Sequence, residues 1–311
     1  MRFWFYVFTF VWINCSLTEV PELLASEPKI RIVTTTTTLA SLAEELAGDW
    51  SEVEAIASPK RDLHQFTPTP KDVLITKKAD VFVHHGLQAE PWLQPLLHAA
   101  ANRQLLEGTG HLLDVSTGVP VLEMPVSVSR LEGDIHPMGN PHYWLDPENA
   151  KRMAQNLAAE LARLYPEKSE SLRQRRENWE ARLDAAFQDW KTRLQPFAGS
   201  ALVTYHRSWS YFAQRFEFRI IGEVEPKPGI PPTGQHMAGL IEAMRREHAR
   251  VIIREPYLEK RTPEKIAQAV RAQVIELLQF VDSGRGADNY IALMNHNVTT
   301  LEKALKREET P

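Results

Sequence analysis

Eleven histidines and one cysteine, Cys15, set the terms for metal chemistry in this chain of 311 residues. A lone cysteine excludes thiolate metal sites and disulfide frameworks from the body of the protein, so imidazole and carboxylate must do the ligating. Ligands of open α/β sheets sit beyond the carboxyl ends of strands. His64 follows the apolar run Val53 to Ala57 after a short loop. His206 follows Ala201-Leu202-Val203-Thr204-Tyr205 directly, and Asp282 follows Val274 to Val281. His142 precedes a helix start, within Gly139-Asn140-Pro141-His142-Tyr143-Trp144. The successive gaps are 78, 64 and 76 residues, which leaves two of the four in each half of the chain.

Three imidazoles and one carboxylate make a tetrahedral shell for Zn2+, with ligand distances of about 2.0–2.2 Å. Four protein ligands close that shell, and a closed shell binds metal without activating water. Ligands divided between two lobes couple binding to closure. Imidazole must be neutral to ligate, so binding is expected to weaken below about pH 6. Two other readings compete. A metallohydrolase would use three ligands, leave Asp282 free and take Glu255 as its base; no helical His-Glu-x-x-His pair supports it. A site for an organic solute would be lined by aromatic and arginine side chains rather than by three strand-end histidines.

Further residues qualify as auxiliaries. Glu255 follows the strand Val251 to Ile253 and Arg254, and fits a carboxylate that accepts a ligating histidine's N–H. His136, six residues before His142 in a glycine-containing loop, is a candidate capture ligand. His84 and His85 follow a buried strand as a pair; neighbours on a strand point to opposite faces, so one of them, taken as His85, faces the cleft. His98, His111, His236, His248 and His296 read as ordinary histidines, and Tyr205 and Trp144 as wall packing.

The elements that must position these groups alternate strand and helix. Lys29 to Val33, Val53 to Ala57 and Val81 to Val83 predict strands, and Leu39, Leu42, Ala43 and Leu46 fall at helical spacing. Thr69-Pro70-Lys71-Asp72 and Asp146-Pro147-Glu148 are helix starts. From Glu167 to Leu194 there is neither Gly nor Pro, and Leu172, Trp179, Leu183, Phe187, Trp190 and Leu194 form an apolar stripe. That stretch predicts one long amphipathic strut. Ala201 to Thr204, Phe218 to Ile221, Val251 to Ile253 and Val274 to Val281 predict a second set of strands. Alternation of this kind implies an α/β fold with parallel sheets. The expected organisation is an N-terminal lobe over 27–166, a linking helix over 167–195 and a C-terminal lobe over 196–311.

Residues 1–26 read as an export signal, with Arg2 before an apolar run from Phe3 to Ile13 that is too short to span a bilayer. Cys15 is a candidate lipid anchor, which places the chain in the periplasm or cell envelope. A net charge of −4 gives no electrostatic basis for binding nucleic acid, and a monomer is expected.

The ordered set of stretches Thr36–Asp49, Asp62–His64 with Pro68–Asp72, Asn140–Pro147, His206–Phe216, Ile253–Pro256, Val281–Ser283 and Tyr290–Asn297 resembles the zinc/manganese-binding class of ABC-transporter solute-binding proteins. The similarity runs from about Ile30 to Leu305. It implies two α/β lobes bridged by one rigid helix, a metal between them, delivery to an ABC permease and no catalytic activity. It also implies His64, His142, His206 and Asp282 as ligands. Imidazole at position 206 favours Zn2+ over Mn2+ or Fe2+, which remain the alternative cargo. There are departures: no long His-rich loop precedes His142, and Asn140-Pro141-His142 stands where the class often has Asp-Pro-His. The His84-His85 pair has no physical account at this level.

Overall fold

The computed structural model describes residue 1 and residues 28–106, 108–125, 136–227 and 229–307. The candidate signal segment and Cys15 lie outside the described residues. Among the described residues no helix is long and apolar enough to cross a membrane.

Two four-stranded parallel sheets form the frame, each in a lobe of its own. The first contains β1 (Ile30–Thr34), β2 (Ser51–Ala55), β3 (Val81–His84) and β4 (Leu112–Asp114) in the order β2-β1-β3-β4. Helices α1 (Thr37–Ala47), α2 (Pro70–Lys77), α3 (Leu93–Ala100) and α4 (Pro147–Leu164) belong to the same lobe. The predicted starts are real: Thr69 and Asp72 make a reciprocal capping box on α2, and Asp146 caps α4 by accepting from the Glu148 N–H. The second sheet repeats the plan with β5 (Ala201–Thr204), β6 (Arg219–Glu223), β7 (Val251–Arg254) and β8 (Gln273–Glu276) in the order β6-β5-β7-β8. Its helices are α6 (Ser210–Arg215), α7 (Gly234–Arg246), α8 (Arg261–Val270) and α9 (Tyr290–Lys306).

Helix α5 (Ser169–Leu194) joins the lobes, 26 residues without a break, or about 39 Å at 1.5 Å per residue. The stripe read from the sequence is its buried face, from Leu172 to Leu194, packed against α1, α4 and α9. One hydrophobic cluster runs from Ile32 and Phe82 of the first sheet through Trp144, Trp179 and Trp190 to Trp209, Phe212, Val251 and Ile253 of the second. Directional bonds cross the same boundary: Trp144 Nε1 donates to the Gln279 carbonyl at 2.9 Å, and Thr37 Oγ1 to the Val281 carbonyl at 2.6 Å. Arg215 grips Asp146 with two bonds of 2.7 and 2.8 Å. A shared core of this kind opposes the wide opening that a simple two-lobe clamp would need.

Two strands differ from expectation: β4 was not anticipated, and the last strand is cut short. The apolar run Val274 to Val281 forms a strand only over Gln273–Glu276. Asn297 of α9 takes over the backbone of Leu278, accepting from its N–H at 2.8 Å and donating to its carbonyl at 2.7 Å, and so draws the chain off the sheet.

Candidate metal centre

Four histidines converge between the lobes. One ligand atom from each of His64, His136, His142 and His206 lies within 4.8 Å of the others. His64 Nε2 and His142 Nε2 face each other at 3.0 Å.

Three of the four rings are aimed by a partner on the far nitrogen. The β2–α2 loop carries His64; Trp92 Nε1 anchors that loop by donating to the Leu63 carbonyl at 2.8 Å, and Asp62 accepts the His64 backbone N–H at 2.9 Å. His64 Nδ1 donates to the Ala89 carbonyl at 2.9 Å. A carbonyl can only accept, so the proton sits on Nδ1 and Nε2 presents a lone pair. His142 opens the short 3-10 turn Tyr143–Leu145, and its Nδ1 donates to Asn140 Oδ1 at 2.9 Å. Gly139 sets up that turn at φ 91°, where a Cβ would lie 2.3 Å from Val121 Cγ1. His206 emerges from β5, and its Nδ1 donates to the Glu225 carboxylate. Two inward lone pairs 3.0 Å apart repel unless a cation stands between them. The buried Nε2 atoms of His136 and His206 have no hydrogen-bond partner among the described residues.

Electrostatics agree with the geometry. Burial, and then the neighbouring His206, push His64 down to about 3. Burial, with His64 and His206 beside it, does the same to His136. His142 is driven well below its ordinary value, again first by burial. His206 moves the other way: burial lowers its pKa, but the Glu225 hydrogen bond and the charges of Glu255 and Glu225 outweigh it and leave a net rise.

The remaining expected residues fall elsewhere. Asp282 is exposed and lies outside the cluster. Because β8 ends at Glu276, Asp282 is six residues past the strand, at φ 60° in a turn closed by its own N–H on the Ala287 carbonyl. There its charge acts on Glu44 of α1. His85 is fully buried one layer behind: its Nε2 pairs with Thr36 Oγ1 at 2.9 Å, and its ring lies 4.3 Å from Trp144, which in turn lies 5.3 Å from His142. Glu255 is buried too, accepting from Ser208 Oγ, Trp209 Nε1 and Gln279 Nε2 at 2.7–3.1 Å, with Oε2 unpartnered among the described residues. It acts on His206 through its charge, whereas the carboxylate bonded to the ring is Glu225. The sequence reading passed over Glu225, although it lies two residues beyond the carboxyl end of β6, the strand paired with β5. A pocket of about 410 Å³ lined by His64, Gln88, Glu90, Gln94 and His136 opens the cluster to solvent.

Two parallel-sheet lobes, a long helix between them and an imidazole cluster in their cleft define a metal-binding solute receptor of an uptake system rather than an enzyme. The model of the family ZnuA, zinc-uptake complex component A, periplasmic, matches residues 32–304, and the chain belongs to that family. The family works with ABC-transporter permeases and binds metal ions. Among similar proteins, the iron-binding protein YfeA of Yersinia pestis is 26% identical, over 88% of this chain and 86% of that protein. A putative metal-binding protein of Treponema pallidum is 23% identical, over 96% and 93%. The zinc-binding lipoprotein AdcA of Streptococcus pneumoniae is 23% identical over 91% of this chain, which spans 57% of that longer protein. The crystal structure of ZnuA superposes with a TM-score of 0.76 at 26% identity, over 89% of this chain and 99% of that one.

Proposed function

We propose that this chain captures one Zn2+ ion outside the cytoplasm and hands it to an ABC permease, with His64, His136, His142 and His206 as its ligands. The observation that carries this reading is the cluster itself: four imidazole nitrogens within 4.8 Å of one another, three of the rings held on their far nitrogen by Ala89, Asn140 and Glu225. In this reading His136 is the fourth donor, in the place expected for Asp282. Imidazole suits Zn2+, whereas Mn2+ favours carboxylate and water oxygen. Four such donors close a tetrahedron and leave no position for a reacting water.

Iron or manganese is the second reading, because a relative is named for iron and a structural neighbour from Candidatus Liberibacter asiaticus is described as Mn-bound. Competitive titration of the purified chain with Zn2+ and Mn2+ against a chromophoric chelator decides between them. The expected outcome is about one Zn2+ per chain, held far more tightly than Mn2+, with tight binding lost in His142→Ala. Equal affinity for both ions would refute the imidazole shell, and so would uptake that survives His142→Ala.

A further inference from the structure

We propose that Asn140 is a positioning residue that uses a single side-chain amide to aim His142 and to clasp the two lobes, so that metal release requires the clasp to give. The inference rests on the metal site proposed above and concerns what governs its release.

The amide is fully used. Its Oδ1 accepts both the backbone N–H and the ring Nδ1–H of His142, each at 2.9 Å. Its Nδ2 donates to the carbonyl of Arg207 at 2.8 Å and to Glu123 Oε2 at 3.0 Å, with Ser210 Oγ at 3.5 Å. The orientation is fixed by the partners, since two donors face one end and a carbonyl and a carboxylate face the other. Arg207 follows the ligand His206, so one planar group sets the distance between ligands from opposite lobes. Asn140 itself is buried.

The surroundings reinforce the same join. Glu123 also accepts from Ser210 Oγ of α6 at 2.6 Å. Tyr211 Oη donates to the Asn140 carbonyl at 2.7 Å and accepts the Leu122 N–H at 2.9 Å. The segment holding Leu122 and Glu123 therefore bridges the histidine turn of one lobe and α6 of the other. An aspartate at 140 could still accept from His142, but it would set a carboxylate oxygen against a carbonyl and against Glu123. Its donors would be gone and its charge would repel. Asparagine is thus required by the clasp, whereas aiming His142 requires only an acceptor.

Asn140→Asp separates the two roles. Zn2+ release is followed by stopped-flow transfer to a fluorescent chelator, and the His142 tautomer by 15N-histidine NMR of the metal-free protein. Asn140→Asp should keep the Nδ1–H tautomer yet release Zn2+ about tenfold faster, the loss of two hydrogen bonds, one of them charge-assisted. Adding Glu123→Gln should recover most of that loss, because a glutamine amide can donate to the new carboxylate and reverse the pair. Release from Asn140→Asp within twofold of wild type would overturn the proposal, as would a double variant no slower than Asn140→Asp. A wild-type chain that takes up no Zn2+ would overturn the metal site and this inference together; normal uptake with an indifferent Asn140→Asp would overturn this inference alone.

Discussion

The number of protons displaced when Zn2+ binds follows from the crowding of the imidazoles, and it should be about one. His142 and His206 have ring centroids 5.3 Å apart, and His64 and His142 5.0 Å. Two imidazolium charges about 5 Å apart repel by about 3 kcal/mol at an effective dielectric constant of about 20, which depresses the second protonation by over two pH units. The cluster therefore holds one proton at most near neutrality. His206 takes it, because Glu225 and Glu255 raise its pKa, while His64 and His136 stay neutral down to about 3. Affinity should accordingly fall about tenfold per pH unit below the raised pKa of His206, against about ten-thousandfold if all four rings had to give up protons. The sequence alone implied weakening below about pH 6; burial already holds His64, His136 and His142 neutral there and softens that limb. Calorimetric titration with Zn2+ at pH 6, in two buffers of different ionisation enthalpy, reads the proton count directly. Release of two or more protons per metal would show that the rings are not held neutral and would refute the electrostatic argument.

Other outcomes follow from the same contacts. His136→Ala should weaken Zn2+ binding at least about tenfold, while Asp282→Ala leaves it within about threefold; chelator competition on both variants tests which residue completes the shell. Glu225→Gln removes the charge that raises His206, so the acid limb of Zn2+ binding should move to lower pH; an unmoved limb would show that another group sets it. In the metal-free protein, His64, His136 and His142 have folded-state pKa values below 6.5. The unfolded chain gains protons there that the fold refuses, so as pH drops below 6.5 stability should fall by up to about 1.4 kcal/mol per pH unit for each. His206, whose pKa is raised, adds no further change in that window. Urea midpoints that do not drop between pH 7 and pH 5 would contradict this. Trp144→Ala empties a fully buried site at the lobe boundary and should cost about 3–5 kcal/mol in urea unfolding.

Much of this was legible in the residues. The period of the apolar stripe from Leu172 to Leu194 gave the linking helix to within a few residues, and Thr69 and Asp146 marked helix starts that their caps explain. His64 and His206 were legible as candidates because strand ends show as apolar runs followed by polar residues, and His142 because it precedes a helix start. Asp282 was placed with them on the same strand-end ground, and it lies outside the cluster. The run Val274 to Val281 reads as one strand, but the side chain of Asn297, from a helix later in the chain, captures its backbone and stops the ladder at Glu276. No local pattern encodes that capture. His136 carried only its proximity to His142 as a signal, and its place in the cluster depends on the fold around it. The Asn140 departure was visible in the sequence, yet its meaning needed Arg207 and Glu123, partners 67 and 17 residues away.

The hydrophobic cluster that passes unbroken from one sheet to the other also bears on how an importer senses occupancy. A shared interior opposes wide parting of the two halves. A permease that judged only outline would dock loaded and empty forms alike and waste transport cycles on empty carriers. If the chain carries metal as proposed, loaded and empty forms differ most at the cleft and its rim, where Gln88, Gln94 and Pro137 line the mouth beside His136.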